Sequence, residues 1–522
     1  MTPVLLVLVL VAGVVVCTPL ADTIGVPQPV LLTVLGLGLG ALPWSPELTA
    51  LDPHLVLPLV LPPLLFAATQ RTTAHEFREH AGAVVLLAVG LTVATVAVAA
   101  VVAHAVGLPW PAAWVVGAVV SPPDPVAATA VARRLRLPHR LVTVLEGEGM
   151  FNDATALVAY KVAVAAVVTG SLSPGDTVVA LVLAVAVGLA VGLVLGWATR
   201  VALAALHEGY AETTVTVLAP FAAYLAAERL GGSGVLAVLA LGLYLRTYGH
   251  RATTSQGWLL GRSVWSFVDF LVTSLVFALL GYELIQVIGR PGDVASFAGP
   301  AAAVVGAVVL FRAVWVYPSA WLARLRARRR DAPLPIGWRE STVVAWAGMR
   351  GVVTVATALA LPRLVDDGSP FPRRDAIVFI ALACVLVTLV VQGLSLAPLV
   401  RALHVGGEQR DRGELLRLRR QAAGAALQVI RESEDGEFVA EVREAALQQW
   451  EGYIAAQTAL AHARAVELEE GDAAEQLGEL LARATTAERD VVLRARRRGE
   501  VSASTADEAL RDIETRALRD FG

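Results

Sequence analysis

The sequence predicts an all-α polytopic membrane protein followed by a helical tail. Three observations lead there. Of 522 residues, 56% are hydrophobic and only 17% are charged, against roughly 25% charged in soluble proteins. The apolar residues fall in runs of about 17–25, the length that crosses a bilayer as a helix. Charge is also segregated: from Gly406 onward there are 17 Arg and 24 Asp or Glu, a net of −7, whereas the preceding part carries a net of +4. This composition excludes a disordered chain and an ordinary soluble enzyme, and it gives no reason to expect a nucleic-acid partner. Cys17 and Cys384 both sit in apolar runs, so no disulfide framework or cysteine-rich metal site follows.

About 13 apolar runs are expected to span the bilayer. In order they are 3–20, 27–43, 54–70, 81–107, 109–132, 141–169, 175–206, 211–228, 233–246, 258–288, 296–324, 339–362 and 375–403. The first is expected to be a retained span rather than a signal peptide, because no Lys or Arg precedes its apolar core. Basic residues set the orientation. Arg71 and Arg78, then Arg133, Arg134, Arg136 and Arg140, fall on one set of loops. Arg246 and Arg251, then Arg324, Arg326, Arg328, Arg329 and Arg330, continue that set. The alternate loops at 43–53, 170–176, 289–293 and 364–375 are short or mixed in charge. With an odd number of spans, the N-terminus lies outside the cytoplasmic membrane and the tail lies in the cytoplasm. A transmembrane domain at 1–405 and a helical cytoplasmic domain at 406–522 follow. In the tail, Leu415–Ile430 and Phe438–Ala461 have amphipathic periodicity. That pattern suits a helical domain packed on itself or on a dimer mate.

Ionisable residues inside spans are expensive and mark functional sites, and three segments hold most of them. The first is Ser121-Pro122-Pro123-Asp124-Pro125, in the fifth run. Its prolines remove backbone donors and obstruct the preceding helix. Irregular backbone at that depth is tolerated only within protein or beside a water-filled cavity. In transporters such broken helices carry half-helix ends and freed carbonyls to the substrate site. The competing reading, a loop between two short spans, needs more flanking apolar sequence than is present.

The second segment is Glu146-Gly147-Glu148-Gly149-Met150-Phe151-Asn152-Asp153. Helical periodicity puts Glu148 and Asn152 on one face, with Gly149 and Asp153 on a neighbouring one. Carboxylate and carbonyl oxygens suit a small hard cation, and the carboxylates also suit a proton. Polar contact between helices is the competing reading for a single Asp. The third segment is Trp346-Ala347-Gly348-Met349-Arg350-Gly351. An arginine in mid-span needs a carboxylate partner, and Glu148 is the expected one. Arg312 has two readings, one buried and one snorkelling near a helix end. Lys161 lies roughly 12 Å along the helix from Asp153 and is assigned a structural role.

Taken together, these segments and Leu61-Pro62-Pro63-Leu64-Leu65-Phe66 resemble the monovalent cation:proton antiporter (Na+/H+ exchanger) family, in its bacterial branch. Phe277-Ala278-Leu279-Leu280-Gly281 and the run from Arg312 to Pro318 resemble it too, and the likeness keeps its order across 1–405. The resemblance implies about 13 helices with inverted repeats, two interrupted crossing helices, a homodimer and no cofactor. It implies that Asp153 carries the proton or cation with Asn152 beside it, that Glu148 pairs with Arg350, and that Asp124 shapes the site. Many family members have Ser where this chain has Gly149, and Thr where it has Pro123. Water or main-chain carbonyls around Pro122 and Pro123 are expected to replace those hydroxyls. The candidate ion site is therefore Asp153, Asn152, Asp124, Pro123 and Gly149. Its only metal is the transported monovalent cation at Asp153.

The expected function is secondary exchange of H+ for Na+, K+ or Li+ by alternating access. Asn152 cannot ionise, so one proton is expected to leave for each cation bound. A channel fits a single competitive carboxylate poorly. An intramembrane hydrolase would need a nucleophile with its base, or His ligands at helical spacing, and the spans supply neither. The remaining alternatives are a sensor or receptor that keeps the fold, and a K+-selective antiporter.

Overall fold

The structure is a computed structural model that describes residues 3–24, 26–42, 53–70, 86–124, 137–169, 174–249, 252–289, 295–329 and 337–405, with short helical pieces between 424 and 513. The expected Arg-rich loops at 71–78 and 133–136, residues 125–132, Arg251, Arg330 and most of the amphipathic tail lie outside the described residues. The chain divides into two compact units, Met1–Glu408 and Gln409–Gly522.

The first unit is built of helices. They are α1 (Pro3–Ile24), α2 (Gln28–Gly40), α3 (Pro53–Thr69), a π-helical turn (Leu86–Leu91) running into α4 (Thr92–Ala105), α5 (Trp110–Val120), α6 (His139–Thr169), α7 (Pro174–Ala205), α8 (Gly209–Arg229) and α9 (Gly234–Tyr248). Then come α10 (Ser255–Gly289), α11 (Ala295–Arg329), α12 (Trp338–Trp346), α13 (Val352–Leu359) and α14 (Arg374–Leu403). A helix lies along each expected apolar run. Among the described residues six helices are long and apolar enough to cross a membrane. Large apolar side chains point outward from them, such as Val182 and Val194 at 62% exposure and Trp197 at 57%, as a lipid-facing surface requires.

Two runs are interrupted, the first of them where Pro122, Pro123 and Pro125 predict a break. The fifth run is helical only to Val120 within its described part. The run at 339–362 is cut into α12 and α13 by an extended segment from Gly348 to Gly351.

Two large apolar clusters of described residues hold the unit together. One joins α1, α2, α4–α6 and α10–α14, and the other joins α3 and α6–α10 with Val353 of α13. Helices α6, α10 and α13 contribute to both. Small residues permit the close contacts expected where lipid supplies no hydrophobic drive between helices. A Cβ on Gly281 of α10 would strike the Thr33 carbonyl of α2, and one on Gly36 of α2 would strike the Ala278 carbonyl of α10. The described part of the tail includes an exposed Arg431–Glu451 ion pair at 3.0 Å.

Candidate ion-binding site

The site begins with a shortage of backbone donors. The last carbonyls of any helix lack intrahelical partners, and Pro122, Pro123 and Pro125 remove the N–H groups that would continue α5. Substitutes come from elsewhere. Ser121 Oγ donates back to the Ala118 carbonyl at 3.1 Å. Arg350 Nε donates to the Val120 carbonyl at 2.9 Å, and its Nη2 donates to the Ser121 carbonyl at 3.3 Å. Arg350 Nη1 donates to the carbonyl of Gly348 in its own segment. The side chain is 2% exposed. One guanidinium thus satisfies carbonyls from both breaks, and its charge sits at the negative end of α5.

The two breaks are further tied by the backbone. Asp124 N–H donates to the Met349 carbonyl at 2.6 Å, and Val352 N–H donates to Asp124 Oδ2 at 3.3 Å. Asp124 thereby places a carboxylate on the N-terminus of α13, where the helix dipole favours negative charge. Gly351 is required at this crossing, because a Cβ there would overlap the Asp124 carboxylate. The α5 and α12–α13 breaks therefore cross each other.

Helix α6 runs past this crossing. Asn152, fully buried, donates from Nδ2 to the Pro123 carbonyl at 2.9 Å. Its Oδ1 is buried without a hydrogen-bond partner. Asp153 follows, half-buried, within electrostatic range of Asp124. Among the described residues it forms no ion pair. Gly149 is buried one turn earlier. Pro123 contributes its carbonyl to Asn152, so the amide is partly committed to holding α6 against the break.

The expected Glu148–Arg350 pair is not what forms. Glu148 and Arg312 are each 2% exposed and make a two-pronged ion pair. Arg312 Nη1 donates to Glu148 Oε1 at 2.5 Å, and Nη2 donates to Oε2 at 2.9 Å. Arg312 also donates to the Val344 carbonyl, from Nε at 3.2 Å and from Nη2 at 3.1 Å. That carbonyl belongs to the last turn of α12, freed by the second break. Arg312 is therefore buried within α11 rather than snorkelling. Gly348 clears its path, since a Cβ there would collide with the Arg312 side chain. Arg350 lies within electrostatic range of Glu148 but spends its donors on carbonyls. The signal for Arg312 was its place well inside the 296–324 run, away from either end.

Lys161 has a partner as well. It pairs with Glu228 of α8, whose Oε1 also accepts from Gly234 N–H at 2.9 Å. Two partly exposed side chains so join α6 to the α8–α9 turn, away from the crossing.

The three carbonyls under Arg350 give a testable consequence. A lysine keeps the charge but not the planar fork that reaches several acceptors. Arg350→Lys is expected to lower the melting temperature of the purified protein, at ~1–3 kcal/mol for each carbonyl left without a donor. Parent-like melting would show that these bonds do not brace the crossing.

The described residues contain no group of three His, Cys, Asp or Glu able to hold a metal ion. The family profile for the sodium/hydrogen exchanger, transmembrane, matches residues 6–402. The chain belongs to the sodium/hydrogen exchanger family. An uncharacterised Na+/H+ exchanger of Mycobacterium tuberculosis is 34% identical, over 81% of this chain and 78% of its own. The Na+/H+ antiporter ApNhaP of Aphanothece halophytica is 31% identical, over 74% of this chain and 71% of its own. Among solved structures, the sodium proton antiporter MjNhaP1 of Methanocaldococcus jannaschii superposes with a TM-score of 0.59 at 19% identity. That match covers 78% of this chain and all of MjNhaP1. This exchanger is thus a multi-pass membrane cation:proton antiporter, and not an enzyme.

Proposed function

We propose that this antiporter exchanges one proton for one monovalent cation at Asp153, with Na+ the leading substrate and K+ or Li+ the alternatives. The observation that carries the reading is the charge balance at the crossing. Arg312 and Arg350 contribute two positive charges, and Glu148 and Asp124 contribute two negative ones. Asp153 is then the surplus. One proton on its carboxylate, or one monovalent cation beside it, returns the cluster to neutrality. Burial disfavours the charged form of a carboxylic acid, so proton and cation compete for the same group. The Asn152 Oδ1 atom, buried and unpartnered, supplies a further oxygen that a dehydrated cation can use. The α6 helix moves with the crossing as one bundle against the other, exposing Asp153 to each side in turn.

The chain is assigned to the cytoplasmic membrane, with its N-terminus outside and the 406–522 domain in the cytoplasm, on the strength of the arginine asymmetry. About 13 spans and a homodimeric assembly complete this reading.

The test is proton flux in proteoliposomes, followed by a pH-sensitive dye as Na+, K+ or Li+ is added in turn. The potential is first clamped at zero and then at a negative value. Exchange of one H+ for one cation moves no net charge, so rate and end-point are expected to be the same at both potentials. A moving elementary charge would feel about 2.3 kcal/mol per 100 mV. An end-point that shifts with potential excludes the 1:1 count.

A further inference from the structure

A polar cavity is lined by none of Asp124, Glu148, Asn152, Asp153, Arg312 or Arg350. It occupies about 520 Å³ where the ends of α3, α7 and α9 meet the starts of α8 and α10. That volume falls in the usual range of small-molecule sites. Its wall holds polar atoms of opposite character that lack partners. Glu212 is 1% exposed; its Oε2 accepts from Thr254 N–H at 3.0 Å, but its Oε1 has no partner. The buried Nε of Arg246 and the buried indole N–H of Trp265 are also unpartnered. Gly257 keeps the pocket open beside the acid, because a Cβ there would collide with the Glu212 carboxylate. Arg262 stacks its guanidinium 5.6 Å from the centre of the Trp258 ring, and Asp269 completes the lining.

Buried polar atoms are normally hydrogen-bonded, and each exception calls for an explanation. Here three residues of one cavity wall each carry a buried atom without a partner, one acceptor and two donors in all. A simple anion would satisfy Arg246 and Trp265 but meet Glu212 and Asp269. A simple cation would satisfy the acids but meet the two arginines and the indole N–H. We propose that this cavity binds a zwitterion, with its phosphate or carboxylate on Arg246, Arg262 and Trp265 Nε1 and its ammonium on Glu212. The headgroup of an aminophospholipid and a free zwitterionic solute share that chemistry. The cavity lies at the end of the bundle that carries Arg246, the end assigned to the cytoplasm, where basic pockets between helices meet lipid headgroups. Exposed Tyr210, Tyr248 and Trp258 on the same helix ends fit the membrane–water boundary. The inference does not depend on the role of Asp153.

The full-length protein, stripped of lipid in detergent, is titrated with phosphoethanolamine, inorganic phosphate and ethanolamine, with binding read by calorimetry. In parallel, nanodisc-embedded protein is exchanged between phosphatidylethanolamine and phosphatidylglycerol, and retained lipid is read by mass spectrometry. Phosphoethanolamine binding at least tenfold tighter than either half-ligand supports a free solute. Selective retention of phosphatidylethanolamine without a phosphoethanolamine response supports the lipid headgroup. In either case Glu212→Gln, Arg246→Gln and the ring-preserving Trp265→Phe are expected to weaken binding at least tenfold. The inference is overturned if neither source binds, if a half-ligand binds as tightly as the whole, or if Trp265→Phe and Glu212→Gln, shown to be folded, both bind like the parent.

Discussion

Arg312→Ala is expected to lower the stability of this exchanger by about 3–5 kcal/mol, the usual consequence of leaving one member of a buried ion pair alone. Glu148 would then sit 2% exposed with no cation against it, and the Val344 carbonyl would lose its donors. Glu148→Ala should be comparably damaging, because Arg312 would keep its charge in the same dry place. The double variant separates this pair from its rival. Residues in direct contact couple by about 0.5–3 kcal/mol. Glu148→Ala with Arg312→Ala should therefore be far less damaging than the sum of the two single changes. Glu148→Ala with Arg350→Ala should be close to additive, since Arg350 is held by the Val120, Ser121 and Gly348 carbonyls. Thermal melts of the purified variants measure this directly. Strong coupling of Glu148 to Arg350 and none to Arg312 would restore the pairing expected from sequence.

Why that pairing was illegible is a matter of helix rotation and long-range placement. Both arginines lie inside apolar runs, and periodicity along one helix does not say which of two distant helices faces Glu148. The glycines around Arg350 suggested close helix approach, but their specific tasks appear only once the helices are assembled. Gly348 makes room for Arg312, and Gly351 makes room for the Asp124 carboxylate. The role of Asp124 was hidden for the same reason, because capping α13 requires the two breaks to cross. What could be read was local. Three prolines in four residues forbid a continuous helix through Ser121–Pro125, and the α5 helix stops at Val120. Runs of apolar residues mark where helices lie, and helices lie there. The Glu212 cavity left no mark in the sequence, because its lining comes from five separate helix ends.

On the proposed reading, Asp153 is the group whose charge is exchanged. Asp153→Asn removes the ionisable proton while keeping nearly the same volume and one carbonyl oxygen. In the balance of charges at the crossing, the variant resembles the protonated carrier, neutral in every state, so it should fold and then fail to exchange. Arg312–Glu148 and the Arg350 bonds lie outside the substitution, so the melting temperature should stay near that of the parent. The deciding measurement is Na+-driven proton flux in proteoliposomes holding equal amounts of parent and folded Asp153→Asn protein. Rapid dequenching is expected with the parent, and a trace at the level of protein-free vesicles with the variant. Undiminished exchange by Asp153→Asn would contradict it.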